Sequence, residues 1–520
     1  MLDANLGAGA GRQDSDLGRA IGRCQSLQLL RRSNLMQMPH RIFEIDEILR
    51  VVAWQTRLVS KATAVSLACC CKAFEEPALN PLWVYQSLNK LLPLLSSILT
   101  NASEPTARPT KGGWKRFRRY TSWIRTLIVD LMWGMPIPQE LSLLLDLIAS
   151  PSSDGLTQQT TTTMFPNLHE LEWYGEPSFL TYLPSFVPPV LTILHVYIVS
   201  RREVEYLPEE YAPLALVINS TISPSNLRSL RLETGPEADR SPELRQSIAD
   251  LVLRCGPALE EFEVEFELPE SAVLHLMSLP NLSVWNAVQP APTALLSSQH
   301  RPPVSLAKMR YLNLRTATPR GWLSFISDLV GGKSYPPPAP RASALIFGNL
   351  THFMMDSPKG QECPFSCTFP LTDLDISLLA DTLPRLERIS LGIPCVFNTC
   401  KTTFRSLHTL STRCPQLRHL GIHVNMATLV QDIETISREG GQQTESQGPR
   451  LGPKFGRRSC KLGLQFAQYL PLEANVGVDD LEVVVRGFFD ISAVIEAVIV
   501  VDLNSKLWAK VSERIKVIGV

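Results

Sequence analysis

The stretch Cys255-Gly-Pro-Ala-Leu259-Glu-Glu-Phe262-Glu-Val264-Glu-Phe266 decides the fold. Leu259, Phe262 and Val264 stand at the spacing L-x-x-L-x-L, and acids fill the gaps between them. The same spacing recurs before it as Ile124/Leu127/Val129, Leu168/Leu171/Trp173, Leu191/Leu194/Val196 and Leu227/Leu230/Leu232. After it come Leu282/Trp285/Ala287, Met309/Leu312/Leu314, Leu350/Phe353/Met355, Leu386/Ile389/Leu391 and Leu417/Leu420/Ile422. Ten copies are too many for chance in one chain. Their first residues lie 23 to 44 positions apart, so the pattern is a degenerate leucine-rich repeat stretched by inserts beyond the usual ~20–29 residues.

Several copies share a lead-in: Phe165-Pro-Asn-Leu, Gly256-Pro-Ala-Leu, Leu279-Pro-Asn-Leu, Leu383-Pro-Arg-Leu and Cys414-Pro-Gln-Leu. Proline cannot continue a helix, so it closes the helix of one repeat before the strand of the next. Pro242 to Arg254 and Thr402 to Arg413 have the helical apolar spacing this requires. The predicted unit is strand, turn, helix, and its stacking gives an α/β solenoid with parallel strands. Proline-rich or polar inserts at 155–163, 290–305, 331–342 and 439–459 read as loops between repeats.

Composition agrees. The 520 residues allow roughly three domains at about 150 residues each, or one long array, and the repeats select the array. Lys plus Arg and Asp plus Glu are 50 each, which excludes a global field favouring nucleic acid or an anionic membrane. The 40 prolines match a chain punctuated by many connections. The N-terminus has no basic region leading into an apolar block, and Phe488 to Val501 is too short and too charged to span a bilayer. Four Asn-x-Ser/Thr matches, at Asn101, Asn219, Asn281 and Asn349, carry no weight without an export signal. The 11 cysteines therefore read as reduced, mostly buried thiols, in keeping with the cytoplasm and/or nucleus.

Upstream of the repeats, Ile42 to about Tyr85 reads as short amphipathic helices, the second, from Val65 to Phe74, stopped by Pro77. Two features of this unit are the helix Ile45-x-x-Ile48-Leu49 and the run Leu67-Ala-x-x-Cys71-Lys-Ala-Phe74, followed by Pro77-Ala-Leu79 and Trp83. They resemble an F-box of the fungal type. The next segment, Trp114-Lys-Arg-Phe117-Arg-Arg-Tyr120 with Ile124-Arg-Thr-Leu127, is similar to the lead-in such proteins carry before their first repeat. The resemblance covers about 40 to 425. It implies a non-catalytic substrate-recognition subunit of an SCF-type ubiquitin ligase, in which the F-box binds a Skp-type adaptor, and through it a cullin, while the repeats bind a protein substrate. The adaptor-binding residues would be Ile45, Ile48, Leu49, Val52, Leu67, Phe74, Leu79 and Trp83, more apolar surface than a small unit hides internally. The family has Leu-Pro or Ile-Pro at the start of the first helix, where this chain has Ile45-Asp46. That departure supports a competing reading, a leucine-rich-repeat scaffold with a degenerate F-box and no ligase role.

The organisation expected is a disordered tail (1–39), an F-box-like helical domain (40–86), a linker with a capping helix (87–123), the solenoid (124–425), a flexible insert (426–460), and a terminal repeat with a closing helix (461–520). Residues alternating with the buried leucines point outward. They run from Glu170, Glu172, Tyr174, Arg231, Glu261, Glu263 and Glu265 to Tyr311, Asn313, Arg315, His352, Met354, Arg388 and His419, acidic early and mixed late. The substrate-binding candidates among them are Tyr174, Arg231, Glu261, Glu263, Glu265, Tyr311, Arg315 and His419, with a basic substrate segment suited to the three glutamates and the tyrosines suited as anchors.

Other patterns fail on spacing. Gly7, Gly9 and Gly11 do not complete a dinucleotide fingerprint, and Gly332-Lys-Ser334 lacks the earlier glycine of a phosphate loop. The basic and aromatic residues at 111–123 resemble a nucleic-acid patch. However, Trp114, Phe117, Tyr120 and Ile124 step by three and four, as on the buried stripe of a capping helix. Cys363, Cys367, Cys395 and Cys400 lack the tight spacing of a zinc site, and no histidine accompanies a nucleophile motif. We therefore expect no catalytic residues, metal, cofactor, nucleic acid or membrane.

Overall fold

The computed structural model describes residues 46–70, 72–91, 111–131, 164–198, 207–234, 238, 240–288, 306–316, 321–326, 347–356, 371–391, 402–424, 435, 460–466 and 495–500. The tail, Ile45, the four inserts, the zinc-like cysteines and the expected closing helix lie outside these residues. The chain divides into two compact units, Met1–His195 with Ser220–Ser223, and Val196–Asn219 with Pro224–Val520.

The first unit opens with three helices, α1 (Asp46–Val59), α2 (Lys61–Cys70) and α3 (Lys72–Trp83). Ala53, Ala68 and Ala78, one from each helix, form their common centre, with Leu67 and Leu79 packed against it. Small residues at the crossing let the helices approach closely. Pro77 does not stop the second helix as expected, because α2 has already ended at Cys70 and α3 runs through both Pro77 and Pro81. Proline costs a helix a hydrogen bond, but buried Phe74 and Ala78 hold α3 in place on either side of Pro77.

A strand follows at once: β1 (Tyr85–Ser87) pairs in parallel with β2 (Thr126–Asp130), which pairs with β3 (Glu170–Gly175). The ladder thus begins one rung earlier than the sequence predicts. Trp83, Gln86 and Leu88 occupy the three leucine places of this rung, and the polar Gln86 is what hides it. Between β1 and β2 stands α4 (Lys111–Thr121). Its Tyr120 stacks on Trp83 with ring centroids 4.7 Å apart, Phe117 and the following Trp123 are buried, and Arg119 donates to Glu75 of α3 at 3.1 Å. Phe117 and Trp123 are buried and Trp114 and Tyr120 half-buried, so these aromatics pack largely within the unit. The strand β4 (Ile193–Ile198) falls where the two units divide.

The second unit is an α/β repeat array. Its strands are β5 (Ser229–Glu233), β6 (Glu261–Glu267), β7 (Val284–Val288), β8 (Tyr311–Arg315), β9 (His352–Asp356), β10 (Arg388–Leu391), β11 (His419–Val424), β12 (Cys460–Phe466) and β13 (Ile495–Val500). Each pairs in parallel with the next in chain order. Helices α5 (Ala212–Ser220), α6 (Pro242–Arg254), α7 (Glu270–Ser278), α8 (Asp373–Thr382) and α9 (Phe404–Arg413) supply the returns. Ser241 caps α6 ahead of Pro242, and Thr372 and Asp375 form a reciprocal capping box on α8.

All thirty residues of the ten recurrences are buried, none more than 5% exposed. At about 1.5–3 kcal/mol for each large apolar side chain removed from water, they are the main stabilising term against the entropy of ordering the chain. The backbone repeats as faithfully. The carbonyl of the residue after the first leucine place accepts two amides from the next repeat: Val84 from Arg125 and Thr126, Glu260 from Ser283 and Val284, Ser283 from Arg310 and Tyr311, Thr351 from Glu387 and Arg388.

The cysteines differ in part from expectation. Cys255 and Cys414, each closing a helix, are free and buried, and burial pushes both thiols up to about 12. Cys70 is free but exposed, its Sγ donating to the Ser66 carbonyl one helical turn back, and Cys69 is disulfide-bonded rather than a free thiol. No helix among the described residues is long and apolar enough to cross a membrane.

Candidate functional site

Two faces stand out, one in each unit. On the first unit, α1 is apolar on opposite sides. Leu49 and Ala53 point into the three-helix centre, whereas Ile48, Val51, Val52 and Trp54 are exposed by 37, 60, 38 and 49%. Arg50 and Gln55 are exposed on the same helix, so this side is a cluster of large apolar side chains set among polar ones. Arg57 lies over the Trp54 ring at 5.2 Å and covers part of it. Of the adaptor-binding candidates, Ile48 and Val52 lie on this exposed side. Leu49 and Phe74 are buried, Leu67 and Leu79 pack half-buried on the alanine centre, and Trp83 is stacked on Tyr120. The sequence reading missed Val51 and Trp54. Their signal was available, since Val51 follows Ile48 by three positions.

On the strand face of the first unit, the Tyr174 hydroxyl donates to Glu172 at 3.2 Å and Thr126 donates to Glu170 at 3.0 Å.

On the second unit, parallel register turns outward-facing residues of distant repeats into rows. One row runs Ser229, Glu261, Val284, Tyr311, His352, Arg388, His419. The next runs Arg231, Glu263, Asn286, Asn313, Met354, Ser390. The three glutamates suggested for a basic segment are engaged by the chain's own groups. Arg231 donates to Glu261 at 2.9 Å and stands 3.6 Å from Glu263, Ser229 donates to Glu261 at 2.9 Å, and Asn286 donates to Glu263. Burial works against the Arg231 charge, but the Glu261 hydrogen bond and the charges of Glu261 and Glu263 outweigh it and raise its pKa. A register shift between Glu263 and Glu267 places Glu267, not Glu265, opposite Val288. Arg315 reaches over β7 to Glu265, donating at 2.9 Å, with both side chains only 13% exposed.

Further along the rows, the Tyr311 hydroxyl meets the Met354 sulfur at 3.4 Å, and its ring lies 6.0 Å from that of His352. Burial, then the Arg388 charge, lowers the His352 pKa against an opposing pull from Glu387. His419 is exposed, and its row continues to Lys461 of β12. Tyr174 belongs to the first unit and the other substrate-binding candidates to the second. Asn286, which no sequence motif flagged, is buried at the middle of the face, beside Asn313.

No family model matches the chain, and no curated protein matches it. Among solved structures, it is similar to the crystal structure of the Rad7 and Elc1 complex in yeast, at 14% identity and a TM-score of 0.35, over 82% of this chain and 90% of that one. Among the described residues, no group of three or more His, Cys, Asp or Glu side chains could hold a metal ion.

Proposed function

We propose that this chain is a non-catalytic substrate-recognition subunit of an SCF-type ubiquitin ligase, its three-helix unit acting as an F-box toward a Skp-type adaptor and its strand face holding the target. The observation that carries the reading is the second apolar side of α1, formed by Ile48, Val51, Val52 and Trp54. A helix packed into its own core on one side and offering four apolar residues on the other suits a helix-packing partner. The contribution to ubiquitin transfer is proximity: a bound target is held at high effective concentration near the transferring machinery, with no chemistry asked of this chain.

The scaffold reading retains one support. The helix opens on Asp46, and the chain lacks the Leu-Pro or Ile-Pro pair of the F-box family at this place.

Co-purification with a Skp-type adaptor separates the two. The full chain should retain the adaptor, and Val51→Ser with Trp54→Ser should weaken it by about 2 kcal/mol, or roughly thirtyfold, for half-exposed side chains that lose their cover. Failure of the full chain to retain adaptor removes the ligase reading and leaves the scaffold. Retention that ignores the double substitution removes α1 as the docking side.

A further inference from the structure

We propose that the centre of the β6–β8 face is a recognition site for a cationic side chain of the bound target, whose N–H groups fill the side-chain carbonyls of Asn286 and Asn313. This deepens the target-binding role given to the strand face above and is independent of adaptor docking.

The two asparagines are direct partners across β7 and β8, so their side chains sit on neighbouring strands about 4.8 Å apart. They are only 5 and 6% exposed, and the Oδ1 atom of each is buried with no hydrogen-bond partner. Buried polar atoms are almost always paired, and an orphan acceptor is costly to keep. At Asn286 the orientation is fixed by its surroundings. The Nδ2 group donates to the Glu263 carboxylate, and a flipped amide would turn one oxygen against another. The orphan is therefore an acceptor, and it calls for a donor.

Charge narrows the donor. The flanking side chains are Glu261, Glu263 and Glu265 against Arg231 and Arg315, with Asp356 opposite Arg315 in register, so carboxylates outnumber guanidinium groups and the local charge is negative. Little water reaches the Glu265–Arg315 pair at one edge, so that charge is weakly screened there. An anion would meet repulsion. A neutral donor would fill the carbonyls and leave the charge uncompensated. An ammonium or guanidinium group does both, since its diverging N–H groups span two acceptors at this separation. The arginines already present are held at either side by their own glutamates, and neither donates to the two carbonyls.

The test is a fluorescence-anisotropy titration of the full chain at near-physiological salt with labelled hexa-arginine, hexalysine and hexaserine peptides. At least one basic peptide should bind and hexaserine should not, and the stronger of the two basic peptides tells guanidinium from ammonium. Asn286→Leu with Asn313→Leu removes both acceptors without altering any charge and should weaken the basic peptide at least tenfold. If the double variant does not fold, Asn313→Ser alone is titrated, with a loss of about tenfold expected for a hydrogen bond to a charged group. Three results overturn the proposal: neither basic peptide binds, hexaserine binds as well, or binding survives loss of the carbonyls, which would mean surface charge alone holds the peptide and ordered water fills the site. Adaptor retention by the same variant is measured alongside. It should be unchanged, so failure here and failure of the ligase reading are separate outcomes.

Discussion

Asp373 ties two repeats together, and its removal should loosen them measurably. Its carboxylate stands in the first turn of α8 and accepts from the Thr403 backbone amide at 2.7 Å, from the Thr403 hydroxyl at 2.7 Å and from the Ser406 hydroxyl. Thr403 is the N-cap of α9, its oxygen accepting from the Arg405 amide at 3.2 Å, and Ser406 is fully buried. In Asp373→Ala, three donors to a charged group lose their acceptor. At about 1 kcal/mol for each stranded donor, the low end because Asp373 is half-buried, the cost is about 3 kcal/mol in all. A repeat array need not unfold in one step, so the global midpoint is a diluted observable of a local loss. Native-state hydrogen exchange is the right one. The amides of Thr403 and Arg405 should lose roughly a hundredfold in protection, while those of β6 and β7 stay as they were. Asp373→Asn, which keeps one carbonyl, should fall between. Protection at Thr403 reduced less than fivefold in the alanine variant would refute the account, and loss spread evenly to β6 would refute its locality.

Three further outcomes follow from the same geometry. Under native alkylation at pH 8, exposed Cys70 should react while Cys255 and Cys414, with thiols pushed up to about 12, stay unmodified by mass spectrometry until denaturant is added. His352 has its pKa lowered below 6.5 in the fold, so the unfolded chain takes up the proton first as pH falls. Its contribution to stability is therefore present above pH 6.5 and lost as pH drops from there through the folded value, and His352→Gln should flatten that slope in denaturant titrations. Arg315→Leu takes the guanidinium from Glu265 in a largely covered site and should cost about 2 kcal/mol by chemical denaturation, whereas adding Glu265→Leu should restore most of it.

The repeats were legible in the sequence because their rule is local. L-x-x-L-x-L fixes a strand and its buried side within six residues, and Leu259, Phe262 and Val264 need no distant partner to declare themselves. β1 was not legible, since Gln86 occupies a leucine place and the rung shows only through the amides of Arg125 and Thr126 on the Val84 carbonyl. On α1 the sequence spacing marks Ile48, Leu49 and Val52 as one apolar set and leaves Val51 and Trp54 unmarked. Only packing divides Leu49 and Ala53, turned inward, from Val51 and Trp54, left outside. The strand face was legible as a list of outward positions and not as a surface. The pairing of Arg315 with Glu265 skips a strand and depends on a register shift, and nothing in the order of residues encodes that.

The doubly used carbonyl has a consequence for how such a chain can vary. Among the described residues, one carbonyl takes two successive amides of the following repeat in nine places: those of Val84, Arg125, His169, Arg228, Glu260, Ser283, Arg310, Thr351 and Glu387. The bond is made by backbone alone, so the side chain at the joint is indifferent, and valine, arginine, histidine, serine, threonine and glutamate all serve. The eighteen receiving amides are another matter, for each needs its hydrogen. None of the 40 prolines occupies any of them, although prolines crowd the lead-ins a few residues away. Mutational drift is free in the letters at these joints and barred from one letter just after them, so the repeats of a chain like this can lose their likeness to each other and still stack.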